Sequence, residues 1–198
     1  MKLILASGSP RRRELLTQIG AVFEVEKSDV EEVTDPAWNP TELVAHLAKD
    51  KALDVARKHR EGVVLGADTV VVDDHKVLGK PRDKEDAKAM LKKLSGRWHE
   101  VMTAVALVDA SQPEHSWEQV VTTRVKFKEL TDEEIASYLS TGESMDKAGA
   151  YGIQGYGALF VEQIEGCYFN VVGLPLSRTA EGLKQFGIDL YHFSTSKK

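Results

Sequence analysis

A single cysteine, Cys167, leaves this chain unable to form an internal disulfide, and it stands in no Cys/His spacing that would close a zinc site. A reducing compartment is therefore expected. Long apolar runs are missing as well. The richest stretches, Val63–Val72 and Val101–Val108, fall far short of the ~20 residues that span a bilayer, so they read as strands and no membrane segment is expected. The apolar residues Leu3–Ala6, between Lys2 and Ser7, are fewer than the roughly 7–15 of a secretory signal, so no export signal is expected. Excess positive charge is also absent. With 26 basic against 31 acidic residues and a net charge of −5, a broad nucleic-acid surface is disfavoured, whereas a small phosphate ligand is not. No fixed-period repeat, low-complexity tract or Pro/Gly/Ser-rich linker divides the sequence, so one folding unit over 1–198 is expected, with no internal boundary assigned. Familiar catalytic signatures are missing too: no Walker A pattern, no G-x-G-x-x-G after a strand, no H-E-x-x-H and no G-x-S-x-G, while the six histidines show no ligand spacing.

What remains is an ordinary globular composition, 42% apolar and 29% charged over 198 residues, enough to remove roughly 70% of the extended chain's surface from water. Leu3–Ala6 reads as a buried strand, and Ser9 followed by Pro10 opens a helix that ends before Gly20. Phe23–Val25 returns as a strand, an acidic loop follows, and a long helix runs over about 41–58. Beyond it the pattern gives strand Val63–Val72, a turn at 73–76 and the short Val77–Leu78. Asp83 caps a helix through Leu94, Trp98–Asp109 and Trp117–Phe127 form two long strands, and Thr131 or Asp132 caps a helix ending at Gly142. A glycine-rich loop over 146–157, a strand over 159–164, a turn at Gly166, a helix over 176–186 and a frayed tail over 194–198 complete a mixed α/β chain.

Six places carry candidate chemistry. Ser7-Gly8-Ser9-Pro10-Arg11-Arg12-Arg13 follows a strand and opens a helix, where backbone N–H groups and the positive dipole end attract anions and arginine forks can join them. An ordinary helix cap with solvated arginines fits the same residues. On a projection of about 100° per residue, Lys51 falls near the middle of the apolar arc made by Leu43, Leu47, Val44, Val55 and Ala48. Either an anion meets its ammonium, or its stem packs and its head reaches water. Asp68 is the only charge in the strand Val63–Val72 and needs a partner, with Gly66 and Ala67 leaving room beside it; a strand-end aspartate bonded to a turn is the alternative. Glu31 and Glu32, near Asp29 and Asp35, could help hold Mg²⁺ or could simply be solvated. Lys80 is directed by the following Pro81, and Gln154, in a glycine-rich segment, offers donor and acceptor atoms to a base edge. This Asp, Lys and Arg inventory suits phosphate ester or anhydride chemistry.

Taken in order, S-G-S-P-R-R, E-E, D-K-A, G-A-D-T, G-K-P-R, L-S-G, D-K-A-G-A-Y-G-I-Q-G and V-G-L-P resemble the Maf family of nucleoside triphosphate pyrophosphatases over nearly the whole chain. The resemblance implies an α/β fold with an extended mixed β-sheet flanked by helices and two lobes around a cleft, related to the inosine triphosphate pyrophosphatases. It implies a cytoplasmic homodimer that uses a divalent metal cation, Mg²⁺ or Mn²⁺. Asp68 matches the proton acceptor, Ser7, Arg11, Arg12, Lys51 and Lys80 match positions lining the triphosphate site, and Glu32 joins Asp68 at the metal. Arg11, Thr69 and Gln154 match the residues that mark the branch acting on dTTP and UTP. The expected activity is hydrolysis of dTTP and UTP to monophosphate and pyrophosphate. The alternatives are a house-cleaning pyrophosphatase for non-standard purine or methylated nucleotides, and a non-catalytic nucleotide-binding regulator of cell division.

Overall fold

The computed structural model describes residues 1–193; the expected frayed tail, 194–198, lies outside the described residues. The described residues group into two compact units. The first comprises 1–68, 103–121 and 173–193, and the second comprises 69–102 and 122–172.

In the first unit, Leu3–Leu5 forms β1, whose three apolar residues are all buried. Pro10, with φ preset for a helix and no N–H to leave unpaired, opens α1, Pro10–Gln18, and Gly20 at φ 71° turns the chain out of it. Glu24–Val25 forms β2. Helix α2, Pro40–Ala56, begins one residue earlier than the periodicity indicated, because Asn39 and Glu42 build a reciprocal capping box ahead of Pro40. Its Val44, Leu47, Ala48, Ala52, Val55 and Ala56 are buried. Strand β3, Val63–Asp73, lies beside β1 in parallel, as does β2 on the other side, with Leu3, Ile4 and Leu5 opposite Val63, Val64 and Leu65.

In the second unit, β4 (Lys76–Leu78) folds back antiparallel on β3 through a turn where Asp74 and His75 take positive φ. Helix α3, Lys84–Leu94, is capped by Asp83 and buries Ala87, Leu91 and Leu94. Two long strands follow, β5 (Trp98–Asp109) and β6 (Ser116–Phe127), whose residues 103–109 and 116–121 belong to the first unit, then α4 (Asp132–Ser140), started by a Thr131/Glu134 capping box. Phe127 centres this core: its ring meets Tyr151 edge-on at 4.6 Å and His99 at 4.9 Å. The strand expected from 159 starts instead at Val161, because residues 156–160 tighten into a 3-10 turn; β7 is Val161–Glu165, antiparallel to β6. The segment expected to be plain glycine-rich loop contains 3-10 turns at Glu143–Asp146 and Ala148–Ala150. Three helices close the described chain: α5 (Tyr168–Val172) in the second unit, and α6 (Leu176–Gln185) and α7 (Leu190–Phe193) in the first. Short α5 and α7 were not foreseen, since one turn is too brief to show a helical period.

Hydrogen bonding orders the strands β2-β1-β3-β5-β6-β7 with β4 attached to β3, a seven-stranded mixed sheet flanked by helices. Among the described residues no helix is long and apolar enough to cross a membrane.

Candidate active site

The parallel pairing of β1 and β3 sets the site's frame. Leu5 stands opposite Leu65, so two residues further on Ser7 comes level with Ala67, next to Asp68. Ligands in parallel α/β arrangements gather where strands end at their carboxyl side; β1 ends at Leu5, and Asp68 lies beside that end, within β3, which runs on to Asp73. Ser7 is buried, its Oγ accepting from the Ser9 N–H (3.2 Å) and from Arg12 Nη1 (3.3 Å). Ser9 occupies the N-cap of α1 without a side-chain bond to the helix. Arg12 is fixed from a second side: its Nε donates to the Gly173 carbonyl at 2.8 Å, across 161 positions of sequence. Gly8 lies under another cation. A Cβ there would come 3.3 Å from Lys27 Cδ, so the aliphatic stem of Lys27 crosses the loop at its smallest residue.

Helix α2 approaches β3 at Gly66. A Cβ on Gly66 would sit 2.3 Å from the Ala48 carbonyl oxygen and 2.8 Å from the Ala52 nitrogen, so only glycine lets the helix backbone come this close. The contact carries Lys51 to Asp68: Nζ lies 2.6 Å from Asp68 Oδ1 and 2.8 Å from Glu32 Oε1. Lys51 and Asp68 are largely enclosed, at 17% and 14% side-chain exposure, while Glu32 reaches in from the loop at 58%. Of the two fates open to Lys51, the structure shows the anion-facing one, and the partner Asp68 required is that lysine. The Arg12 guanidinium is close enough to respond to the same charges. Burial lowers its pKa, Asp68 opposes that, Arg11 reinforces it and Glu32 opposes it again. Ser7, Arg12, Glu32, Lys51 and Asp68 are thus brought together in the first unit, with Arg11 beside Arg12.

Two carboxylate oxygens converging on one ammonium mark a position that favours positive charge. Mg²⁺ or Mn²⁺ takes oxygen ligands, often one or two carboxylates with phosphate oxygens and water, so Asp68 and Glu32 fit such an ion. Among the described residues no group of three or more His, Cys, Asp or Glu side chains is placed to hold a metal by itself. A polyphosphate would have to supply the remaining ligands.

Thr69, Lys80 and Gln154 belong to the second unit. There the Gly149 N–H donates to the Gly79 carbonyl at 3.1 Å, which joins the segment bearing Gln154 to the residue before Lys80. Gly149 sits at φ 67°, and a Cβ on it would meet Val71 at 2.9 Å. Downstream of Gln154, the Glu143 carboxylate accepts from the Tyr156 N–H (2.9 Å), the Gly157 N–H (3.2 Å) and the Tyr138 hydroxyl (3.1 Å). Lys27, the Gly173 carbonyl and Glu143 were given no individual role by the sequence reading. No local spacing announces them, because each acts across a gap of chain that only the fold closes.

A family profile described as Maf-like protein matches residues 2–186 of the chain. The dTTP/UTP pyrophosphatase of Acetivibrio thermocellus is 56% identical over 197 residues, 96% of this chain and 98% of that protein. Proteins of the same description from Carboxydothermus hydrogenoformans and Clostridioides difficile are 55% and 49% identical, over 94% and 97% of this chain and 100% and 99% of their own. Among solved structures, the Ham1 protein of Staphylococcus aureus aligns with 64% of this chain and 72% of its own at 15% identity and a TM-score of 0.45. The motifs from S-G-S-P-R-R to V-G-L-P lie inside the matched span, so the chain belongs to the Maf family.

Proposed function

We propose that this protein hydrolyses dTTP and UTP at the bond between the α and β phosphates, releasing the nucleoside monophosphate and pyrophosphate. The observation that carries the reading is the enclosed Asp68, held by Lys51 at 2.6 Å and joined through that lysine to Glu32, beside the carboxyl end of β1 where Ser7 and Arg12 also converge. Three relatives described as dTTP/UTP pyrophosphatases, 49–56% identical and nearly co-extensive with this chain, favour the same substrates.

In this reading Lys51 engages Oδ1 of Asp68 and fixes the carboxylate, leaving Oδ2 to accept a proton from water as the water oxygen attacks the α phosphorus. The bond from that phosphorus to the bridging oxygen breaks, and the electron pair leaves with pyrophosphate. Arg11, Arg12, Lys51 and Lys80 offset the charge that gathers on the leaving group, the preorganised form of help worth about 3–4 kcal/mol when a single donor is removed. Asp68 and Glu32 would hold a divalent cation, Mg²⁺ or Mn²⁺, which when bound neutralises phosphate charge and polarises the phosphorus. Ser7 and the start of α1 orient phosphate oxygens, while Thr69 and Gln154, with Arg11, select the pyrimidine base. A cytoplasmic homodimer is the setting we assign.

The test is pyrophosphate release by the purified protein across dTTP, UTP, ITP and 7-methyl-GTP, for the native chain and for Asp68→Asn. We expect dTTP and UTP to lead, and Asp68→Asn to lose at least about 10³-fold in kcat while melting as the native protein does. Undiminished turnover by Asp68→Asn would reject Asp68 as the base. A preference for ITP or 7-methyl-GTP would move the chain to the house-cleaning alternative, and no metal-dependent pyrophosphate release at all would favour a non-catalytic regulator.

A further inference from the structure

Glu32 reaches the ammonium of Lys51 from a loop. It lies in a stretch between β2 and α2 that has no regular structure, and its side chain is 58% exposed, yet its Oε1 must stay 2.8 Å from Lys51. With no strand ladder or helix to hold the backbone of this stretch, the contacts that tie it to α2 decide where Glu32 can reach.

The restriction is visible one turn along α2 from Lys51. Asp54 Oδ2 accepts from the Ser28 hydroxyl at 2.8 Å and from the Asp29 N–H at 3.0 Å, and Ser28 Oγ in turn accepts from the Val30 N–H at 3.2 Å. Lys58, four residues on, lies 3.3 Å from Asp54 and 3.6 Å from Asp29. Just before these residues, Glu26 Oε2 meets His59 Nε2 at 2.6 Å, a third tie between the loop and the end of the helix. The charged and titratable groups around Asp54 are therefore Lys58, Asp29, Glu26 and His59. The Ser28 hydroxyl, the Asp29 N–H and Lys58 hold the Asp54 carboxyl below the usual carboxylate range, despite partial burial.

We propose that Asp54 is a positioning residue for the hydrolytic site: by clasping residues 28–30 onto α2 it delivers Glu32 to Lys51, one turn away on the same helix. The inference rests on the reading that Glu32 serves the site. Asp54 touches neither substrate nor reacting atoms in this scheme. Its carboxylate converts the Asp29 N–H and the Ser28 hydroxyl, which water would otherwise satisfy, into the restraint that fixes where the Glu32 side chain can go. The apolar face of α2 gives the clasp a rigid base, since Val55, Ala52 and Ala56 beside it are buried.

The experiment is a double-mutant cycle with Asp54→Ala, Glu32→Ala and the pair, read as kcat/KM for dTTP and as amide hydrogen exchange of residues 26–32 in the metal-free, nucleotide-free protein. Removing a group that orients a ligating side chain costs roughly 10–100-fold, so Asp54→Ala should lose activity in that range and its loop amides should exchange faster, those of Asp29 and Val30 first. In the Glu32→Ala background the same substitution should lose almost nothing more. Ser28→Ala, which removes one strand of the clasp, should give a smaller loss in the same direction. Native activity in Asp54→Ala, or a loss that multiplies fully onto that of Glu32→Ala, would overturn the proposal while leaving Glu32's role standing. A Glu32→Ala variant with native kcat/KM would instead remove the functional reading of Glu32 on which the proposal rests.

Discussion

Gly66→Ala is the smallest change expected to separate Lys51 from Asp68. The added methyl carbon would stand 2.3 Å from the Ala48 carbonyl oxygen, 2.8 Å from the Ala52 nitrogen and 2.9 Å from the Ala52 Cβ, where ordinary contact begins at 3.4 Å. Two of the three atoms belong to the backbone of α2 and cannot rotate aside. The helix must lift or β3 must bend, and 2.3 Å against 3.4 Å asks for about 1 Å of movement. Overpacking of this kind costs about 1–3 kcal/mol. For a chain of this size that lowers Tm by about 2–12 °C. Because Lys51 immediately precedes Ala52, the lift also draws its ammonium from the 2.6 Å contact with Asp68. A misplacement near 1 Å can cost about 10²-fold in rate. Calorimetry supplies Tm, and pyrophosphate release measured well below the variant's midpoint supplies kcat/KM. A variant with native Tm would show that the helix does not press on β3 here. A lowered Tm with native kcat/KM would show that the contact holds the fold but does not place the lysine.

Three further outcomes follow from groups elsewhere. Burial lowers the His99 pKa from 6.5 to about 4, with Asp73 pulling the other way, so the folded protein keeps this imidazole neutral where the unfolded chain protonates it. Stability should therefore be complete above pH 6.5 and decline toward pH 4, by up to about 3 kcal/mol, with no further change from this group below that. Urea midpoints at pH 7 and pH 5 measure the slope, which should flatten in His99→Gln; an unchanged slope would mean other groups set it. Asp73→Asn removes a carboxylate, 1% exposed, that faces Lys93 at 3.0 Å and Arg97 at 3.2 Å. Since both cations can turn to water, the loss should be about 1–3 kcal/mol, seen as a lower urea midpoint with the m-value unchanged. Arg12→Lys keeps the charge but cannot serve both the Gly173 carbonyl and Ser7 Oγ, so kcat/KM for dTTP should fall about tenfold or more; native kinetics would mean that charge alone is used.

The strands and the longer helices were legible because their signals are local. Pro10, Asp83 and Thr131 each start a helix through atoms within three or four residues, and β3 is read from two apolar runs, Val63–Leu65 and Val70–Val72. Where short turns compete, as at 156–160, the contest is decided by Glu143, thirteen positions before Tyr156, and no window of sequence contains both the carboxylate and its purpose. The candidate site was legible as an inventory but not as an arrangement. Lys51 in an apolar arc and Asp68 in an apolar strand are each anomalies that call for an opposite charge, and two anomalies of opposite sign are each other's simplest remedy. That argument was available from sequence, yet it needs a helix and a strand in direct contact, and the residue that permits the contact is Gly66, which has no side chain to suggest a role. Glu32 was harder still. Its position depends on Asp54, an acid on the polar side of a helix that looks like any solvated residue until the loop it holds is in place. Chemistry that depends on a carboxylate's charge can be guessed from the residue type, whereas chemistry that depends on where the carboxylate is held depends on neighbours that are distant in sequence, bland in type and joined only after folding.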